Sequence, residues 1–443
     1  MRFLWRAAAS CALCLVSGAA LGVSAQTVGV TKKRVPADPA AQALNRLLTA
    51  AQEAIDRQDY DTAAQNYQGY LAKKPDDAGV HYNLGYVYTA LKRPADAKGE
   101  YEKAISLDPK MSAAYLNLGL TLLPGEPSAA IEPLQHAAEL KPDDAHVKWL
   151  LGTALERSGK LQPALDQYEA ATKLDGKDPD IRLSLAFALL ASGRAADAES
   201  QFRAGLALHP PDDASAQARK GLAQSLLQQK KLDDASAELS AYLEAEPDDS
   251  ATRVERASIL IDAGKPDDAL AELDRAAAQS PEGLRALKLR SQIYWGKKRY
   301  DDDAPVLLKA AAIAPNDPDI PARLGQVYLK KKDYPNAAHW LTLAYNMNPG
   351  ATDLLAELVD VAYLNKNFSG ALEALDLLSK HEELPATSWY TRAACYDNLG
   401  DAVHALEAYQ KFLQMNKDEN SDMYFISTAR VRVLTRELQN KKR

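Results

Sequence analysis

The chain has 443 residues, and its 53 Lys and Arg against 60 Asp and Glu give a net charge of −7, with the signs interspersed. A mildly acidic chain with no long basic block is a poor match for nucleic acid as a main partner. Only 22 glycines and 3 cysteines, in a composition rich in Ala and Leu, favour an all-helical chain held by packing rather than by disulfides.

Residues 1–25 stand apart. Arg2 and Arg6 make a short positive start, Ala7 to Gly22 is apolar with many small residues, and Val23-Ser24-Ala25 is a small-x-small site before Gln26. This pattern predicts a secretory signal peptide cleaved after Ala25, and a mature chain exported to the periplasm or beyond. Retention as a membrane anchor is the alternative. Cleavage would remove Cys11 and Cys14 and leave Cys395 with no partner in its own chain. Residues 26–43 contain Pro36, Pro39 and the cluster Lys32-Lys33-Arg34 and are expected to form an exposed, flexible linker.

From Leu44 to Lys417 the chain is periodic. Proline recurs as Pro75, Pro109, Pro142, Pro210, Pro247, Pro281, Pro315 and Pro349, mostly at intervals of 34 residues. Eleven units follow, beginning at residues 44, 78, 112, 145, 179, 216, 250, 284, 318, 352 and 386. Each splits into two amphipathic helical patterns, as in Tyr82, Leu84, Tyr88 and Leu91 followed by Ala97, Tyr101 and Ala104. Between them lie breaker turns such as Ser158-Gly159-Lys160. Proline then stops the second helix. The acids after it, as in Pro75-Asp76-Asp77, Pro142-Asp143-Asp144, Pro211-Asp212-Asp213 and Pro247-Asp248-Asp249, suit helix starts. A fixed period of this length predicts a stack of like units in which each contacts only its neighbours.

Counting places within each unit, place 20 holds Ala in ten units (Ala63, Ala97, Ala130, Ala164 and so on), and Asp303 stands there in the eighth. Place 8 is small in ten, as in Ala51, Gly85, Gly119 and Gly152, with Val359 the exception. With aromatics at place 24 and proline near place 32, the pattern resembles the tetratricopeptide repeat family over about 85% of the chain. The resemblance implies an all-α, right-handed α-solenoid of eleven helix-turn-helix units. Residues 420–443 form one further amphipathic pattern, with Phe425, Ala429, Val431, Val433, Leu434 and Leu438 assigned to one side. They are expected to make a C-terminal capping helix with a polar outer face.

Motifs for chemistry are lacking. There is no Gly-rich phosphate loop, no nucleophile elbow, and none of the seven histidines falls in a zinc-binding spacing. Asp301-Asp302-Asp303 lacks the alternation of a calcium loop and reads as a solvated helix start, and Cys395 reads as a packed thiol. No catalytic, cofactor or metal residue is assigned, and the expectation is a non-enzymatic protein.

Members of the resembled family bind an extended peptide or a partner helix in a concave groove, which the resemblance places at positions 2, 5, 9, 12 and 13. Places 5 and 9 supply the candidate partner-binding residues Tyr82, Tyr86, Leu116, Leu120, Trp149, Leu183 and Phe187. A weaker, polar stretch follows at Lys220, Gln224, Lys288, Gln292 and Gln326. Exposed aromatics suit a protein interface. They would equally stack on a glycan, and self-association of the solenoid is a third class of function. If the signal reading holds, intact mass of the chain recovered from the cell envelope or medium will correspond to a start at Gln26. A mass that includes residues 1–25 would establish the anchor instead.

Overall fold

The computed structural model describes residues 39–416 and 418–441, so residues 1–25, expected to be a signal peptide, and residues 26–38 of the expected linker lie outside it. Among the described residues there are 23 α-helices and no strand. Consecutive helices pair: α1 (Pro39–Asp56) with α2 (Tyr60–Leu71), α3 (Ala78–Ala90) with α4 (Pro94–Leu107), α5 (Ser112–Leu122) with α6 (Pro127–Leu140), and α7 (Ala145–Arg157) with α8 (Leu161–Leu174). The pattern goes on through α9 (Pro179–Ala191) with α10 (Ala195–Leu206), α11 (Asp212–Gln228) with α12 (Leu232–Ala245), α13 (Ser250–Asp262) with α14 (Pro266–Gln279), and α15 (Leu284–Gly296) with α16 (Tyr300–Ile313). It closes with α17 (Asp319–Lys330) and α18 (Tyr334–Met347), α19 (Thr352–Leu364) and α20 (Phe368–Leu378), α21 (Ala386–Asn398) and α22 (Ala402–Met415), and the lone α23 (Asp422–Lys441). The all-α repeat solenoid expected from the period is therefore present. It divides into two compact units, residues 1–246 and 247–443, which hold α1–α12 and α13–α23 of the described chain.

Local chemistry explains the boundaries. Asp77, Asp144, Asp178 and Asp249 each accept a hydrogen bond from a backbone N–H in the first turn of the following helix, as in Val80 N–H to Asp77 Oδ1 at 3.1 Å. Such a cap is worth about 1 kcal/mol. The pair after Pro211 differs. Asp212 and Asp213 lie inside α11, because the three extra residues before this unit let the helix start early and run for 17 residues. A second departure is at the N-terminus, where α1 begins at Pro39, inside the stretch read as linker. Proline is tolerated in a first helical turn, and Ala40, Ala41 and Ala43 are strong helix formers.

The turn inside each pair is three residues long, except for four between α5 and α6. Its middle residue is left-handed: Gly159, Gly193, Gly264 and Gly400 have φ of 74–82°, while Gln58 and five lysines (92, 230, 298, 332 and 366) have φ of 56–60°. Glycine adopts this conformation without penalty, and the other six turns accept a cost of about 1 kcal/mol each.

The two helices of a pair cross where place 8 meets place 24. A Cβ added at Gly85 would lie 2.7 Å from the Tyr101 ring, at Gly119 2.5 Å from Leu134, and at Gly152 2.7 Å from Tyr168. Ala51, Ala186, Ala223, Ala257 and Ala393 at the same place are buried. In the first compact unit one large apolar cluster of buried side chains runs from Ala51 to Ala235, beside a small one of Ala216, Tyr242 and Leu243. In the second they fall into several smaller ones. Glu272, 2% exposed, accepts from Arg256 and Arg275 at 2.6 Å each and from Arg253 at 3.2 Å. Cys395 is buried, and burial pushes its thiol up to about 11, as a packed rather than reactive cysteine requires.

Two sequence expectations need correction. On α23 the buried side is Ser427, Val431 and Leu434, whereas Phe425, Ala429 and Val433 face solvent, with Phe425 76% exposed. The assignment to one side joined residues that the 100° helical step separates, and packing against α22 selected the narrower face.

Asp303 is the other. Asp301 and Asp302 are solvated, Asp301 pairing with Lys331 and Asp302 with Arg299. Asp303, however, is fully buried at place 20, with neither carboxylate oxygen in hydrogen-bond geometry with a partner. Desolvation raises it to about 6, partly offset by Ser291 and the charge of Arg323. Because its pKa is higher folded than unfolded, the penalty is absent below about pH 4 and grows as the pH rises through 6, to roughly 2–3 kcal/mol. Asp303→Ala, which restores the usual residue of that place, should therefore raise the urea midpoint at pH 7.5 and change it little at pH 4. A pH-independent effect, or a loss of stability at pH 7.5, would contradict this account.

Candidate functional site

The first helices of the pairs in the N-terminal unit, α3, α5, α7 and α9, carry the candidate groove residues, and α3 touches α5 as α7 touches α9. Place 5 and place 9 are four apart, so they lie on one helix face, and the structure grades them by depth. Tyr86 (39%) and Leu120 (38%) are the exposed pair. Tyr82, Leu116, Trp149 and Phe187 are half-buried and packed on the apolar cluster.

Leu183 is buried at 5% and belongs to the core, not to a surface. The cause is Gly205 on α10: a Cβ there would sit 2.7 Å from Leu183 Cδ2, so the missing methyl opens a notch into which the leucine sinks. Corresponding places of the preceding units hold Ala104, Ala137 and Ala171, which leave no such notch.

The half-buried aromatics are fixed by neighbours. Asn117 on α5 donates through Nδ2 to Tyr82 Oη on α3 at 3.1 Å, and Trp149 Nε1 on α7 donates to Ser184 Oγ on α9 at 2.8 Å. Both links join place 5 of one unit to place 6 of the next, 35 residues on. Asn117 and Ser184 are thus positioning residues that the place-5 and place-9 reading overlooked, and a polar residue following an aromatic at an interval of 35 was their signal. The Tyr82 ring also packs on Tyr101, with centroids 6.0 Å apart, and Phe187 meets Phe202 edge-on at 4.8 Å. Burial raises the Tyr82 phenol above its ordinary range.

Deeper carboxyls border this face. Glu156 is raised by burial, against which the hydrogen bond from the Tyr168 hydroxyl at 2.7 Å acts in the opposite sense. Asp180 is raised by burial first and then by Asp178 and Asp213. Burial therefore disfavours the charged form of both carboxyls near this face.

The polar set divides between the two compact units, with Lys220 and Gln224 in the first and Lys288, Gln292 and Gln326 in the second. Lys220 lies over the Tyr242 ring at 4.6 Å, Lys288 pairs with Asp317 at 2.6 Å, and Gln326 donates to Glu357 at 2.8 Å. Gln224 and Gln292 are exposed. The two lysines are held by their own chain rather than offered to a partner's carboxylate.

Family models described as tetratricopeptide repeat match residues 48–112, 125–179 and 254–318, with further models at 157–219 and 386–419. Together they take in more than half of the chain, and the chain belongs to the tetratricopeptide repeat family. No curated protein matches it significantly. Among solved structures it is similar to a crystal structure of MamA at 24% identity, covering 38% of this chain and 92% of that one, with a TM-score of 0.37. It is similar to yeast Tom70 at 14% identity over 90% and 97% of the two chains (TM-score 0.32). PilF of Pseudomonas aeruginosa matches at 20% over 49% and 98% (TM-score 0.35).

The Trp149–Ser184 link gives a direct check. Trp149→Phe and Ser184→Ala should each lower stability by about 1 kcal/mol, and the double variant should cost clearly less than their sum. Additive losses in urea titration would mean that the hydrogen bond contributes nothing.

Proposed function

We propose that this protein is an exported, non-enzymatic scaffold whose N-terminal unit binds a protein or peptide partner on the face formed by α3, α5, α7 and α9. The observation that carries the reading is the pair Tyr86 and Leu120. These large apolar side chains are left nearly 40% exposed on neighbouring first helices, beside aromatics held by hydrogen bonds to the next helix. A rigid half-buried ring costs little entropy to immobilise, so the face is preorganised for an apolar stretch of extended chain or one side of a helix. Membership of the tetratricopeptide repeat family supports a role in protein interaction. Export rests on the sequence pattern of residues 1–25, and it places the partner in the cell envelope or outside the cell. Among the described residues no helix is long and apolar enough to cross a membrane.

The test is capture from envelope extract followed by titration of the purified captured protein. Tyr86→Ala combined with Leu120→Ala should weaken that binding at least tenfold, about 1.4 kcal/mol or more, while leaving the thermal midpoint nearly unchanged because both side chains are solvent-exposed. Equal affinity of parent and variant would remove this face from consideration.

A further inference from the structure

The last described helix carries an exposed face that its family role as a cap does not account for. On α23, Phe425, Ile426, Ala429 and Val433 all face solvent, with Phe425 at 76% and Ile426 and Val433 at 42% and 40%. They lie opposite the side that packs against α22, on a stripe continued by Asp422 at one end and Arg436 at the other. An end helix with nothing to cover would gain by having a polar outer side. This one has its largest apolar side chain there.

The stripe is complementary to itself. Residue 429 is its midpoint, so a copy of the helix laid antiparallel across it brings Phe425 against Val433, and Asp422 against Arg436, twice over. Neither Asp422 nor Arg436 has an ion pair among the described residues. The central residue is alanine, small enough for two backbones to approach closely. Opposite charge at both ends, apolar residues between and a small residue at the axis are what an isologous two-fold contact requires. A different partner would have no reason to match the order of this chain's own residues in reverse.

We propose that α23 is a homodimerisation helix, pairing antiparallel with the α23 of a second copy about an axis at Ala429. The contact buries Phe425 and Val433 and forms two Asp422–Arg436 pairs across the axis. A single helix pair makes a small interface, so the dimer forms reversibly as concentration rises. Its site is separate from the N-terminal face discussed above, and loss of one leaves the other intact.

Sedimentation of the purified full chain through the micromolar range tests it. The parent should show a concentration-dependent dimer. Asp422→Arg and Arg436→Asp each place like charges at both ends, and each should weaken association at least tenfold. An equimolar mixture of the two variants should dimerise again, because each then meets its opposite. Ala429→Glu, which sets two carboxylates at the axis, should abolish the dimer independently. A parent that stays monomeric, single reversals that dimerise like the parent, or a mixture that fails to recover would each overturn the proposal.

Discussion

The close crossing of the two helices in each pair is the contact on which everything else hangs. Place 8 must be small because the side chain at place 24 of the same unit lies directly on it, as Tyr101 does on Gly85 and Tyr168 on Gly152. No single core gathers the chain, so each unit has to fix its own helix angle at this point and pass it to its neighbour. The three-residue turn contributes by holding its middle residue left-handed, even where Gln or Lys must take that conformation. The repetition is thus a repetition of one steric fit.

Where the fit is altered, the consequences are visible. Asp303 occupies the place of an alanine and is buried without partners, a local conflict that the surrounding apolar contacts of Leu287, Leu307 and Ile320 must outweigh. Gly205 removes a methyl and draws Leu183 inward, away from the surface its place would otherwise give it. In the second compact unit, the charged cluster around Glu272 shares its two helices, α13 and α14, with one of the smaller apolar clusters. Buried ionic contacts of this kind offset their own desolvation more than they add stability.

Surface character follows from the same scaffold. Helix pairs fixed by their crossing leave the outer faces of the first helices free to vary, and in the N-terminal unit that freedom is used for aromatic and aliphatic side chains braced across the helix-to-helix step. Tyr82 and Trp149 are partly satisfied by Asn117 and Ser184, which holds their rings in one orientation and leaves Tyr86 and Leu120 as the contact points. The two ends of the described chain behave differently from the middle, because a terminal helix has a neighbour on one side only. On α23 that asymmetry leaves Phe425 in solvent.

The sequence by itself determined the helices, their pairing and the small residues at the crossings, since a 34-residue period with Ala, Gly and Pro in register admits few other structures. It also pointed to the N-terminal aromatics as the distinctive surface. Only the tertiary structure decided depth. Whether a residue at a nominally exposed place stays exposed depends on one methyl group on the paired helix, as with Leu183 and Gly205. Whether an acid at a helix start is solvated depends on which of three consecutive aspartates turns inward, as with Asp303. At α23 no following repeat exists in the described chain to fix the buried side, so contact with α22 alone made the choice. Periodicity reports what neighbouring units share, and burial at these positions is set by what they do not.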